Sequence, residues 1–189
     1  MAVMNPVSVP CIVAVMLAAV GSIVAQSSDD ILYQSNANGS AVVLLAVGRL
    51  QQSGVFGNDN ELLRRIAFVE TRDGTLPDTF REGYNGGIWA VDEAAFLGTK
   101  TNDASNVRLP AKLQQIRDHF EIDWTSVQWS DLRKPLHSAI AARLILYLAP
   151  RAIPPTNDLE AQAMFWVQYY NSDGDEADFA AISSGLEGK

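Results

Sequence analysis

Glu70 is the residue in this chain best suited by type and spacing to acid–base chemistry. Read as a helix, the run Leu62 to Thr71 places Leu62, Ile66 and Val69 on one row and Leu63 and Ala67 on the next. Glu70 continues that second row at i+7, so a carboxylate falls on or beside the apolar face. A carboxyl group turned toward apolar neighbours loses hydration and its pKa rises. It then keeps a proton near neutral pH, as a general acid must. The alternative is a glutamate at the helix end, facing water. Asp73 and Asp78 read as turn formers. His119 and His137 are remote from Glu70 and from each other, and nothing has metal-ligand spacing. Without a glycine-rich phosphate loop, a nucleophile elbow or a basic patch, neither metal nor cofactor is expected.

The elements that must hold Glu70 read as mostly helical. Ser40 can cap a helix over 41–52 with an apolar stripe of Val43, Leu44, Val47 and Leu50. Asn58 or Asn60 then caps the Glu70 helix. From Arg72 to Gly87 turn formers dominate (Asp73-Gly74, Pro77-Asp78, Gly83, Asn85-Gly86-Gly87), which predicts a long functional loop, irregular or with a short β excursion. A short helix follows over 88–97. Pro110 opens another to Phe120, and Pro135 opens a strong one to Leu148, rich in small Ala139, Ala141 and Ala142. Asn157 and Glu160 form a capping-box-like pair for a last helix to Tyr170. The predicted organisation is a signal peptide over 1–25, a flexible segment over 26–39, one helical domain over 40–171 and an acidic, mobile tail over 172–189.

The first 25 residues carry no charged side chain, hold an apolar run from Ile12 to Val20, and end on Ala25 before polar Gln26-Ser27-Ser28. That pattern predicts export with cleavage. The run is short for a membrane span, so no stable anchor is expected after removal. The sole cysteine, Cys11, lies inside this segment, which leaves the mature chain without thiol chemistry. Asn38-Gly39-Ser40 is a glycosylation acceptor pattern, relevant only in a eukaryotic secretory route. The formal net charge of −8 argues against nucleic-acid partners and against long-range attraction to anionic membranes or walls.

Three short segments, in order, resemble the lysozyme and lytic transglycosylase superfamily, goose-type lysozymes in particular. Ile66-Ala67-Phe68-Val69-Glu70-Thr71 is similar to the apolar helix ending in Glu-Ser or Glu-Thr that supplies the family's catalytic acid. Gly87-Ile88-Trp89-Ala90-Val91-Asp92 resembles the family's Gly-Leu-Met-Gln-Val-Asp segment, with Ala90 in place of its glutamine. Tyr170-Asn171 resembles the start of its Tyr-Asn-Ala-Gly motif, though Ser172-Asp173-Gly174 follows here.

The resemblance implies a mainly α, lysozyme-like domain that cleaves peptidoglycan or a chitin-like glycan as a secreted monomer. Glu70 would protonate the glycosidic oxygen. Asp92 would help hold the attacking water, at a separation of about 6.5–9.5 Å that implies inversion; otherwise a substrate acetamido or hydroxyl group assists. Tyr170 would orient Glu70, with Asn171 beside it, and Trp89 and Tyr84 would stack on sugar rings. Each has a plainer alternative: Trp89 and Tyr170 as core, and Asp92 as the cap of the helix that follows. Two whole-protein alternatives stand beside the enzyme, an inactive glycan- or protein-binding module and a helical protein unrelated to glycans.

Overall fold

A computed structural model of the protein describes residues 29–57, 60–100 and 107–186. The proposed signal segment and Asn58 lie outside them. Among the described residues there are seven α-helices, two 3-10 turns and no strand: α1 (Ser40–Ser53), α2 (Asn60–Thr71), α3 (Glu93–Gly98), α4 (Leu109–Phe120), α5 (Pro135–Leu148), α6 (Leu159–Tyr169) and α7 (Glu176–Ser184).

The mainly helical expectation holds, and α5 is its centre. Pro135 fits the first turn, where no N–H is needed, and every residue from Pro135 to Leu144 is buried. A helix apolar all round belongs in the middle of a fold, and the alanines at 139, 141 and 142 let neighbours approach closely. Accordingly α1, α2, α3 and both 3-10 turns pack on it. Ser138, fully buried in its first turn, receives the loop that follows α2.

Several local expectations are corrected. The long segment after α2 has no β excursion; it is a series of turns between residues 72 and 92. Ser40 does not cap α1. Gly39 takes the cap position, and the Ser40 hydroxyl accepts from Arg64 Nη2 at 3.0 Å. Leu44 is 57% exposed, so the buried stripe of α1 runs through Val42, Val43, Ala46, Val47 and Leu50 instead. The helix expected over 88–97 begins only at Glu93, because Gly87 and Ala90 adopt positive φ (67° and 50°). Asp158, not Asn157, caps α6, accepting from Ala161 N at 3.0 Å.

The described parts of the two segments expected to be flexible, 29–39 and 172–186, pack against the helices. Leu32 is buried, Asn36 N donates to Arg133 O at 2.8 Å, and Arg133 Nε returns to Asn36 Oδ1 at 2.9 Å. Residues 172–186 form a turn and α7, capped by Asp175 and packed on α6 and α2 through fully buried Phe179. Acidic composition suggests mobility, but buried Phe179 and Ser183, with half-buried Ile182, make one inward face of a short helix.

Buried His137 sits edge-on to Tyr33, ring centroids 6.2 Å apart. Burial first, then the Lys134 ammonium, pushes its imidazole down to about 4. The fold thus disfavours the cation, which the unfolded chain accepts below about 6.5. Its stabilising contribution is complete above that value and is lost as pH falls toward 4, by up to about 3 kcal/mol. Urea midpoints between pH 7 and 4 should show this slope in the wild type and a flatter one in His137→Phe; parallel curves would refute it.

Candidate active site

Glu70 lies in the last turn of α2, whose Leu62, Leu63, Ile66 and Ala67 are fully buried. Its carboxyl is half-buried where α2, α6 and the start of the α7 segment meet. Trp166 Nε1 donates to Glu70 Oε1 at 2.9 Å, and Asn171 Nδ2 donates to the same oxygen at 3.1 Å and to Oε2 at 3.4 Å. Burial pushes the carboxyl above the usual glutamate range; the Asn171 and Trp166 hydrogen bonds work against that shift and only partly offset it. At a helix C-terminus the backbone dipole also disfavours a negative charge. The result is a carboxylic acid poised to hold a proton, with geometry that distinguishes its two oxygens. Oε1 takes both short hydrogen bonds, which leaves Oε2 as the oxygen to carry and release the proton.

The donors are themselves fixed. Asn171 Oδ1 accepts from Asp173 N at 3.2 Å, which sets the amide so that its NH2 faces Glu70. Trp166 is buried, its ring 5.0 Å from that of Phe179 on α7. A side chain at Gly174 would run into the Trp166 ring, so the turn before α7 closes tightly over the indole.

The end of α2 is bound to the loop carrying the second sequence motif. Thr71 Oγ1 is 2.6 Å from Ile88 O and accepts from Gly74 N at 2.8 Å. Ser138 Oγ donates to Gly86 O at 3.0 Å and accepts from Trp89 N at 3.3 Å. Asp73 is more than a turn residue. Its Oδ1 makes a buried 2.5 Å ion pair with Arg64, and its backbone carbonyl accepts from Gly39 N, which joins the end of α2 to the start of α1.

The expected site residues separate into two groups. Glu70, Asn171, Tyr84, Tyr170 and Asp92 gather in one region: the charges of both Glu70 and Asp92 bear on the Tyr84 and Tyr170 hydroxyls. Trp89 does not belong to it as a sugar platform. It is fully buried, and its indole donates to Leu63 O at 2.9 Å, so it is core. Tyr170 does not orient Glu70 directly. Its hydroxyl donates to Trp89 O at 2.6 Å, anchoring the loop, while burial raises it well above the usual tyrosine range. Asp92 caps α3 through Oδ1 to Ala95 N at 2.7 Å and is otherwise exposed. Tyr84 is half-buried, with Arg81 4.0 Å over its ring and Trp129 edge-on at 5.7 Å; burial raises it to about 12, so it is a neutral phenol. Asn171 binds Glu70 itself rather than standing free for substrate.

Trp166 joins the site although no motif in the sequence marks it. Its signal was present: it precedes Tyr170 by four on one helix, which puts both on the same face. Half-buried Trp129, donating to Val91 O at 2.9 Å, likewise stands beside Tyr84. A cavity of about 230 Å³ lies elsewhere, between α4 and Trp124.

No family model, curated protein or solved structure matches the chain.

Trp166 gives a prediction with a definite sign. Its N–H stabilises the anion, so Trp166→Phe, which keeps a ring against Phe179, should raise the Glu70 pKa further. Titration of the labelled glutamate carboxyl by NMR checks this. A pKa that falls or stays put would show that the indole does not act on the carboxylate.

Proposed function

We propose that this protein is a secreted, lysozyme-like glycosidase that cleaves β-1,4 links in peptidoglycan or a chitin-like glycan. The observation that carries the reading is the half-buried Glu70 carboxyl, raised by burial and held through one oxygen by Trp166 and Asn171. Glu70 Oε2 gives its proton to the glycosidic oxygen as the bond to the anomeric carbon breaks. Water then attacks that carbon, its proton passing to Asp92 as base; alternatively a substrate hydroxyl attacks, its proton returning to the Glu70 carboxylate, and leaves an anhydro product. Tyr84 and Trp129 offer partly exposed aromatic edges for the sugar. The motif resemblance and the order of its three segments support the same reading.

A second reading is favoured by specific residues: a lysozyme-like module that binds glycan without cutting it. Ala90 stands where the resembling family has glutamine, Trp89 is buried, and a net charge of −8 repels anionic walls. Chitin oligomers and purified peptidoglycan, incubated with the full chain and resolved by mass spectrometry, separate the two. Shortened products support the enzyme, and bound but intact glycan supports the module. Neither binding nor cleavage would overturn both.

A further inference from the structure

His137 stands beside Ser138 in the first turn of α5, yet it serves a different face of the fold. Its ring is only 8% exposed, and Nδ1 is sealed from solvent without a hydrogen-bond partner. Nε2 makes no hydrogen bond among the described residues either. A buried polar group left unpaired costs stability, so an imidazole with neither nitrogen engaged is a group that a ligand can complete. The ring lines a pocket of about 470 Å³ beside the end of α4 and the 3-10 turns Asp30–Tyr33 and Trp129–Arg133. That volume lies within the range small-molecule sites occupy. The second of these turns separates the pocket from the Glu70 region: its Trp129 donates to Val91 O beside Tyr84, while its Asp131 lines the pocket.

Three further polar groups in the lining are unengaged. The Tyr33 and Ser126 hydroxyls and the Glu121 carboxylate make no hydrogen bond among the described residues. The other two carboxylates of the lining are already held. Asp123 meets Arg117 at 2.6 Å and Thr125 Oγ1 at 2.7 Å, and Asp131 meets Lys134 and Gln128 N, both at 2.9 Å. At Tyr33 the Arg49 charge opposes those of Asp29 and Glu121. With the acids countered in this way and the imidazole neutral at pH 7, the pocket exerts no strong field of either sign that would select an ion. What it offers instead suits hydroxyl groups. The imidazole supplies one donor and one acceptor, each hydroxyl supplies both, and a carboxylate accepts from two neighbouring hydroxyls at once. Buried Phe120, Ile122 and Val127 form an apolar side, and the exposed Tyr33 ring adds a flat face. A few convergent polar groups against apolar and aromatic carbon fit a pyranose, with its hydroxyl rim and C–H surfaces.

We propose that this pocket binds a neutral pyranose sugar, its hydroxyls shared among His137, Glu121, Tyr33 and Ser126 and its C–H surface against Ile122 and Val127. The site stands on its own groups and does not depend on the Glu70 reading. The sugar is either a free monosaccharide or one unit of a glycan chain, and the chemistry that recognises it is the same.

The test is a titration of the full chain at pH 7 with glucose, N-acetylglucosamine and chitotriose, followed through the His137 ring signals by NMR. Chitotriose is titrated into Glu70→Gln, which keeps it intact. Saturable displacement of those signals by at least one sugar is expected, weakened at least tenfold in Glu121→Gly/Ser126→Ala. Both residues are exposed, and Glu121 takes φ 57°, which glycine adopts without strain, so the fold is preserved and circular dichroism verifies it. Tighter binding of chitotriose than of N-acetylglucosamine assigns a unit of a chain, and equal or weaker binding assigns a single sugar. Absence of saturation with all three sugars, a double variant that binds like the wild type, or tighter binding of ethylammonium than of any sugar would overturn the proposal. Glu70→Gln should bind the two monosaccharides as the wild type does, so failure here and failure of the glycosidase reading are separable.

Discussion

Glu70→Gln is expected to lower glycan cleavage by about 10²–10⁴-fold, the range a general acid supplies. Glutamine keeps an oxygen for Trp166 Nε1 and Asn171 Nδ2, the two bonds that fix Oε1 now, so the site should keep its shape. What disappears is the transferable proton on the other oxygen. The pH dependence follows from the same cause. A general acid works protonated, so the wild-type rate is highest below the Glu70 pKa and falls as pH rises through it. Because burial raises that pKa, the falling limb lies above the ordinary glutamate range. Stability runs in the matching direction. A carboxyl whose folded pKa is raised destabilises the fold once ionised, so the wild type gains stability as pH falls through the folded pKa. Glu70→Gln, which never ionises, should be at least as stable as the wild type at neutral pH. Wall-suspension turbidity and denaturant melts on both proteins measure these effects together. A variant keeping more than about a tenth of wild-type cleavage would remove Glu70 from the acid role.

Gly87→Ala is expected to have the largest effect on stability, lowering it by about 3–5 kcal/mol, the sum of left-handed backbone strain and overpacking. Gly87 has φ 67°, and a Cβ there would strike Leu132 O and come within 2.6 Å of Ser138 Oγ. Neither neighbour can yield cheaply. Leu132 O is backbone, and Ser138 Oγ sits on central α5, bonded to Gly86 O and Trp89 N. The loop would have to lift, and with it Ile88 O from Thr71 and Trp89 O from Tyr170. Gly83→Ala is the control. Its φ is 76°, yet a Cβ there meets nothing within 4 Å, so only the backbone term of about 1 kcal/mol applies. Thermal melts should separate the two by about 5–10 °C at this chain length. Indistinguishable melting temperatures would mean that the loop is not seated on α5 as described.

The helices whose signals are local were legible in the chain. Pro135 and the apolar run after it define α5, Pro110 marks the start of α4, and the 3.6-residue rows of α2 put Glu70 on the buried side. Those features depend on neighbours three or four positions away, and periodicity reports them. The remaining features depend on contacts between distant parts of the chain. Trp89 and Trp166 look alike as sequence, but one indole finds Leu63 O in the core and the other finds the Glu70 carboxylate. Partners 26 and 96 residues distant leave no mark on the local pattern. The tail from Ser172 reads as polar and loose because its burial rests on a few residues, Phe179 above all, meeting Trp166 from another helix. Glu70 could be identified from its own helix, but the groups that set its protonation come from elsewhere in the chain.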